Sequence, residues 1–303
     1  MILSLVNCLQ GFGFHLPRVF SYYSSRMVLA SVTSLCLSIF LGPWFIRKLY
    51  ELRIGQPVRK GDFLLAQLHE KKNDTPTMGG LLILVSMLLS MLLWMDLTHA
   101  FTLILLLTTL VLGSVGAYDD WLKLRHKNSK GLSGRRKLLV QFGFATLVAA
   151  YLLSPSIQEG LQLAIGLKAP YAKDVVSGQV QEVLGANDYI SRVYVPFFKH
   201  PVLVFSGWSL LVLVAFFLFV VTGSSNAVNL TDGLDGLAAG CLIMVAGTLA
   251  CFAFVSNHVG IADYLHILYI EGSGEIAIYL AALVGACLGF LWYNGHPAQV
   301  FMG

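Results

Sequence analysis

The sequence predicts an all-α, polytopic membrane bundle, and three observations carry that prediction. Of 303 residues, 56% are hydrophobic and only 12% are charged. Soluble domains carry about 25% charged residues, so half that value argues for lipid as the solvent, as does a mean hydropathy of +0.73. Apolar stretches of spanning length recur along the chain, and a spanning helix needs about 20 such residues because lipid offers no partner to free backbone groups. The basic residues are also gathered into two loops, as topology requires. A single soluble core is excluded.

Seven apolar segments read as spanning helices, at 27–46, 78–95, 100–118, 138–154, 201–223, 236–256 and 276–293. The second and third are joined only by Asp96-Leu97-Thr98-His99, so they form an antiparallel hairpin. No internal repeat is evident. Of the 20 Lys and Arg, seven fall between Arg47 and Lys72 and seven between Lys123 and Lys137. The positive-inside rule places both loops in the cytoplasm. Two spans separate them, so they must share a side, and the two inferences agree. The N-terminus is then outside, and 224–235 and the chain's last residues are inside.

The stretch 155–200 lies outside on this topology and reads as an irregular, solvated insert carrying Asp174, Glu182 and Asp188, with no residue resembling a site. Five cysteines, Cys8, Cys36, Cys241, Cys251 and Cys287, show no CxxC spacing and read as free, buried thiols. No basic n-region precedes an apolar core, so no cleavable signal is evident.

Candidate chemistry lies at the inner span ends. Tyr118-Asp119-Asp120-Trp121 sets two carboxylates side by side, which is unfavourable at a membrane interface unless a cation or proton compensates. Solvated acids beside Lys123 and Arg125 are the plain alternative. The run Asn226 to Gly236 is sharper: Asp232 and Asp235 are three apart, Asn226 and Asn229 repeat that spacing, and no Lys or Arg occurs after Lys199. On a helical turn such a pair shares a face, and acids without a basic partner need a metal, a proton or a ligand. Gly233 and Gly236 permit a tight turn and close approach to a ligand. Oxygen donors without a His/Cys cluster favour Mg²⁺ over zinc.

The first basic loop ends in Lys71-Lys72 and Thr75-Pro76-Thr77-Met78-Gly79-Gly80. Lysines, hydroxyls and a helix start suit phosphate contact, although Thr75 or Thr77 could equally be a helix cap. The second loop, with Lys123, Lys130 and Arg135, is either topogenic only or attracts lipid phosphate at the membrane surface. Together the inner face offers four acids (Asp119, Asp120, Asp232, Asp235) and two basic loops. That inventory suits Mg²⁺-assisted joining of two phosphorylated substrates, one from the cytosol and one from the membrane.

TPTMGG at 75–80, YDD at 118–120, KGLSGRRK at 130–137, VPFFK at 195–199, SNAVNLTDGLDGLAAG at 225–240, YLHI at 264–267 and LGFLWYNGHPAQVFMG at 288–303 resemble the bacterial phospho-N-acetylmuramoyl-pentapeptide-transferase family, within the polyprenyl-phosphate N-acetylhexosamine-1-phosphate transferases. The resemblance implies one integral membrane transferase domain over 1–303. The reaction would be UDP-MurNAc-pentapeptide plus undecaprenyl phosphate giving lipid I and UMP, with Mg²⁺, at the cytoplasmic face of the bacterial inner membrane. Asp119 would be the base for the lipid phosphate, with Asp120 beside it. Lys72, Thr77, Asn229, Asp232, Gly233, Asp235, Asn294 and Phe301 fall where the family contacts the nucleotide. Stacking of uracil on Phe301 is chemically reasonable. The metal candidates in the chain are Asp119, Asp120, Asp232 and Asp235; the family's main ligand is expected just after Gly303, followed by further spans to about ten. Residues 1–303 alone are therefore expected to make no lipid I. The expected partners are the two substrates and the lipid bilayer, with no nucleic acid, and a homodimer is compatible.

Two alternatives stand beside this reading. A sister transferase would use UDP-N-acetylglucosamine, but Thr231 and the full TPTMGG favour the muramoyl family. An ion-coupled transporter would also hold intramembrane acids, but near the midplane and often in repeated halves.

Overall fold

In the computed structural model the chain is described over residues 2, 11–12, 17–51, 75–126, 131–176, 179–195 and 200–302. It is a helical bundle. Its main helices are α1 (Tyr23–Glu51), α2 (Gly80–Trp94), α3 (Ala100–His126), α4 (Gly134–Leu153), α7 (Leu210–Thr231), α8 (Leu237–Ser256) and α10 (Ser273–Asn294). Six of them are long and apolar enough to cross a membrane. The remaining one, α2, has 15 residues and so is about 22 Å long, short of the roughly 30 Å hydrocarbon core. Residues 75–79 leave the helix because Pro76 and a left-handed Met78 (φ 75°) turn the chain before it starts.

Helix ends differ systematically from the apolar runs. The run 201–223 becomes a helix at 210–231, and α3 continues past 118 to His126. Hydropathy reports lipid contact, whereas backbone hydrogen bonding continues through polar turns. Large side chains such as Phe216 (62% exposed), Phe219 (72%) and Phe252 (65%) point outward from the spans. Such an apolar exterior on a long-helix bundle is what lipid solvates, and the molecule is a multi-pass membrane protein. Cys287 is buried, but Cys36, Cys241 and Cys251 are exposed on outward faces, so the expectation of uniformly buried thiols is corrected: an apolar helix here faces lipid as often as protein.

The core joins α1, α2 and α10. Every fourth residue of α1 from Arg26 to Ile46 is buried, passing through Ala30, Ser34, Ser38 and Gly42. Gly285 and Gly289 of α10 meet this stripe of small residues, which lets the two backbones approach closely. A methyl on Gly285 would collide with the Ser31 carbonyl and the Ser34 hydroxyl. Gly285→Ala is therefore expected to lower the melting temperature of the detergent-purified protein, at a cost of about 1–3 kcal/mol typical of overpacking. An unchanged melt would show that α1 and α10 can separate freely.

At one end of the bundle α1, α2 and α10 are locked by a buried ion pair, Arg26 Nη2 to Glu275 Oε1 at 2.7 Å. Arg26 Nη1 donates to the Trp94 carbonyl at 2.9 Å, and the Asp96 N–H donates to Glu275 Oε2 at 3.0 Å. Beside it His99 lies against Gly272, whose φ of +81° and missing Cβ make the room.

The same end carries the 155–200 segment, which corrects the expectation of an irregular loop. It forms α5 (Pro155–Ile165), β1 (Tyr171–Val176), β2 (Gln179–Gly185), α6 (Ala186–Ile190) and β3 (Arg192–Val193). β1 pairs antiparallel with β2 and also with β5 (Tyr269–Ile270), giving the order β2-β1-β5, while β3 pairs with β4 (Leu203–Val204). Ala172, Val175, Leu184 and Ala186 bury a small apolar centre. The strand signal is legible in Val175-Val176 and Val180 to Leu184 around Ser177-Gly178, but the pairing with 269–270 is not local.

Candidate active site

The motifs at 75–80, 118–120, 225–240 and 288–302 and the described part of 130–137 lie toward the opposite end of the bundle, whereas YLHI at 264–267 lies at the end that carries the sheet and residues 196–199 of VPFFK lie outside the described residues. The start of α2 is clasped by the chain's last residues: the N–H groups of Gly79 and Gly80 donate to the carbonyls of Phe301 (2.8 Å) and Met302 (2.7 Å), and Phe301 N–H returns a bond to the Pro76 carbonyl at 2.9 Å. A Cβ at Gly79 would meet Phe290 at 2.5 Å and the Phe301 carbonyl at 2.7 Å. The expected phosphate contact at this helix start therefore lacks those two backbone donors, because the tail uses them. Thr77 is buried within the clasp, and Thr75 is half-buried at its edge. Lys72 and Lys130 lie outside the described residues.

Asn294, buried at the end of α10, ties two motifs together. Its Oδ1 accepts from Gly236 N–H at 3.0 Å and its Nδ2 donates to the Val300 carbonyl at 2.9 Å. Gly236 has φ +76°, as the tight turn expected of the Asp-Gly string requires. Asp232 caps α7, and the 6%-exposed Asp235 side chain accepts from Ala298 N–H at 3.3 Å and lies 3.1 Å from His296 Nδ1.

On α3, Asp119 and Asp120 share one cation. Lys123 Nζ lies 3.0 Å from Asp119 Oδ2 and 2.8 Å from Asp120 Oδ1, with all three side chains under a fifth exposed. Two carboxylates against one ammonium leave a net negative charge. The other oxygen of Asp119, Oδ1, accepts from Leu132 N–H at 2.6 Å.

A cleft of about 170 Å³ opens at this end of the bundle. Val115 and Gly116 of α3, Lys137 of α4, Asn229 of α7, its capping residue Asp232, and Met302 contribute to its walls. Asp119 lies one turn beyond Gly116, on the same side of α3. Arg135 is exposed on the first turn of α4, and Gly233 is exposed in the turn after Asp232. Asn226 is already engaged, donating from Nδ2 to the Thr222 carbonyl (2.8 Å) and to Gln141 Oε1 (3.3 Å). The buried Gln141, unremarked in the sequence, also donates to Ser225 Oγ at 2.9 Å and so stitches α4 to α7 beneath the cleft. A lone Gln in an apolar run is the signal that could have found it, since such a group must find a partner.

The four acids do not form one cluster. Among the described residues, no three His, Cys, Asp or Glu side chains are gathered so that they could hold a metal ion.

Two comparisons with known proteins decide the family. Residues 102–303 match the family described as glycosyl transferase family 4, and residues 72–84 match phospho-N-acetylmuramoyl-pentapeptide-transferase signature 1. A phospho-N-acetylmuramoyl-pentapeptide-transferase of Protochlamydia amoebophila (strain UWE25) is 59% identical over all of this chain and 77% of its own length. The chain belongs to the phospho-N-acetylmuramoyl-pentapeptide-transferases. Another member, from Desulfotalea psychrophila (strain LSv54 / DSM 12343), is 43% identical over 94% of this chain and 69% of its own length. The transferase resemblance thus rests on the whole chain, not on short motifs alone.

Proposed function

We propose that this transferase moves phospho-MurNAc-pentapeptide from UDP-MurNAc-pentapeptide to undecaprenyl phosphate at the cytoplasmic face of the inner membrane, giving lipid I and UMP. The observation that carries the reading is the cleft in which Asp232, Asn229 and Lys137 face one space, one turn of α3 from Asp119. Asp119 takes the proton of the lipid phosphate. An oxygen of that phosphate then bonds to the sugar-linked phosphorus, the bond from this phosphorus to the bridging oxygen breaks, and UMP leaves with the electron pair. Lys137, Arg135, Lys72 and Lys130 draw the phosphates in, while Asn229, Gly233 and Phe301 meet the nucleotide. Asn226, Asn294 and Thr77 hold those elements in register.

The donor set fits Mg²⁺ in the manner usual for that ion, one or two carboxylates with the remaining oxygens from phosphates and water. Asp232, which lines the cleft, would hold it, and Mg²⁺ when bound would supply neutralisation of phosphate charge. Membranes carrying the enzyme, given radiolabelled UDP-MurNAc-pentapeptide or UDP-N-acetylglucosamine, are expected to label lipid only with the first donor, and to stop on chelation with EDTA. Labelling from UDP-N-acetylglucosamine instead would transfer the protein to the sister reaction.

The cytoplasmic placement has its own test. Single cysteines at Gln67 and Lys130 should react with an impermeant thiol reagent only from the cytoplasmic side, and one at Asp174 only from outside. Reaction of positions 67 and 130 from opposite sides would overturn the topology.

A further inference from the structure

The turn at Gly131 and Leu132 begins where α3 and α4 are brought together, and it closes directly on Asp119. Gly131 adopts φ +51°, a conformation costly for side chains other than glycine and, to a lesser degree, Asn. A Cβ there would collide with Asp119 Oδ1 and come within 3.0 Å of Lys123 Cε. The next N–H, that of Leu132, donates to the same Oδ1 at 2.6 Å. Lys123 holds Oδ2 from the other side at 3.0 Å. Each oxygen of Asp119 is thus gripped by a different element, one by its own helix and one by the turn that leads into α4. A bare backbone with φ > 0 followed by an inward-pointing N–H is a small anion-binding concavity, and here its anion is a side chain.

We propose that Gly131 is a positioning residue for the transfer reaction: by letting the backbone close on Asp119, it fixes that carboxylate's orientation one helical turn from the cleft-lining Gly116. The inference rests on the reading of Asp119 as the proton acceptor. It also accounts for the first of the two glycines in the KGLSGRRK segment, which basic charge alone does not explain. Placement of a reacting group governs rate steeply, a displacement of about 1 Å costing on the order of a hundredfold. Ground-state binding of nucleotide and lipid elsewhere in the cleft need not change.

The test uses Gly131→Ala, Gly131→Asn and Asp119→Asn in the full enzyme, with folded yield and melting temperature recorded alongside kinetics. Asn tolerates a left-handed backbone but still presents a Cβ to Asp119, so it separates backbone strain from the close approach. Both Gly131 variants are expected to lose about tenfold or more in kcat, with KM for either substrate within about twofold and near-normal melting. In the Asp119→Asn background, where residual turnover is read by radiolabel, Gly131→Ala is expected to change kcat by less than about twofold, because its effect passes through Asp119. A full additional tenfold loss in that background would assign Gly131 a merely structural role and overturn the proposal, as would wild-type kcat in Gly131→Asn or failure of both variants to fold. Normal turnover by Asp119→Asn alone would instead sink the reading of Asp119 as proton acceptor.

Discussion

Replacing Asp119, Asp232 or Asp235 by Asn is expected to lower turnover by at least ~100-fold each, the scale of losing a positioned acid/base or electrostatic group. Asn keeps the size of each side chain, so packing should survive. At Asp119 the amide oxygen can still accept from Leu132 N–H, but the charge that faces Lys123 is gone. At Asp235 the bond from Ala298 N–H can likewise persist, leaving charge as the variable. Asp232 lines the cleft itself. Far from this end, Asp174→Asn and Glu182→Gln are the controls. Glu182 forms an exposed pair with Arg192 at 3.0 Å, and such pairs contribute little. Both controls should keep turnover within about twofold. Near-normal lipid I synthesis by the Asp232 and Asp235 variants would remove the acids from the site.

The second large effect is on stability, at the opposite end of the bundle. Arg26 and Glu275 are 3% and 1% exposed and 2.7 Å apart, with the Trp94 carbonyl and the Asp96 N–H completing the network. Arg26→Met would leave the Glu275 carboxylate buried without its cation, a loss of roughly 3–5 kcal/mol. The detergent-purified variant should melt well below the parent or fail to accumulate. Adding Glu275→Leu removes the stranded charge and should recover much of the loss, since a buried pair is often replaceable by apolar groups. A single variant as stable as the parent would show that water reaches this pair. Because the pair lies at the far end from Asp119 and Asp232, any surviving Arg26→Met protein should keep the parent's KM.

The sequence alone determined the class of molecule, its family and its spans to within about two and a half turns. Each is a local property: hydropathy over about 20 residues requires a spanning helix, and the Asp232 to Gly236 string turns sharply because glycine stands where φ is positive. Local pattern also misled locally. The apolar run ended at 223 where polar residues begin, yet backbone bonding carries α7 on to Thr231.

What only the tertiary structure decided are the pairings across distance. Thr75 to Gly80 read equally as a phosphate-contacting or a capped helix start, but the N–H groups of Gly79 and Gly80 face carbonyls more than 200 residues later in the chain. The amides of Asn226 and Asn294 tie α7 to Gln141 and Gly236 to Val300, partners that no local spacing names. The 155–200 segment read as irregular although its β1–β2 hairpin is local; only the third strand of that sheet, Tyr269 and Ile270, comes from far along the chain. An amide or a backbone N–H satisfies its hydrogen-bonding need with whichever partner folding brings within about 3 Å. That choice is made by the packing of elements distant in sequence, α4 on α7 and α10 on α1, α2 and α8, and no window of neighbouring residues contains it.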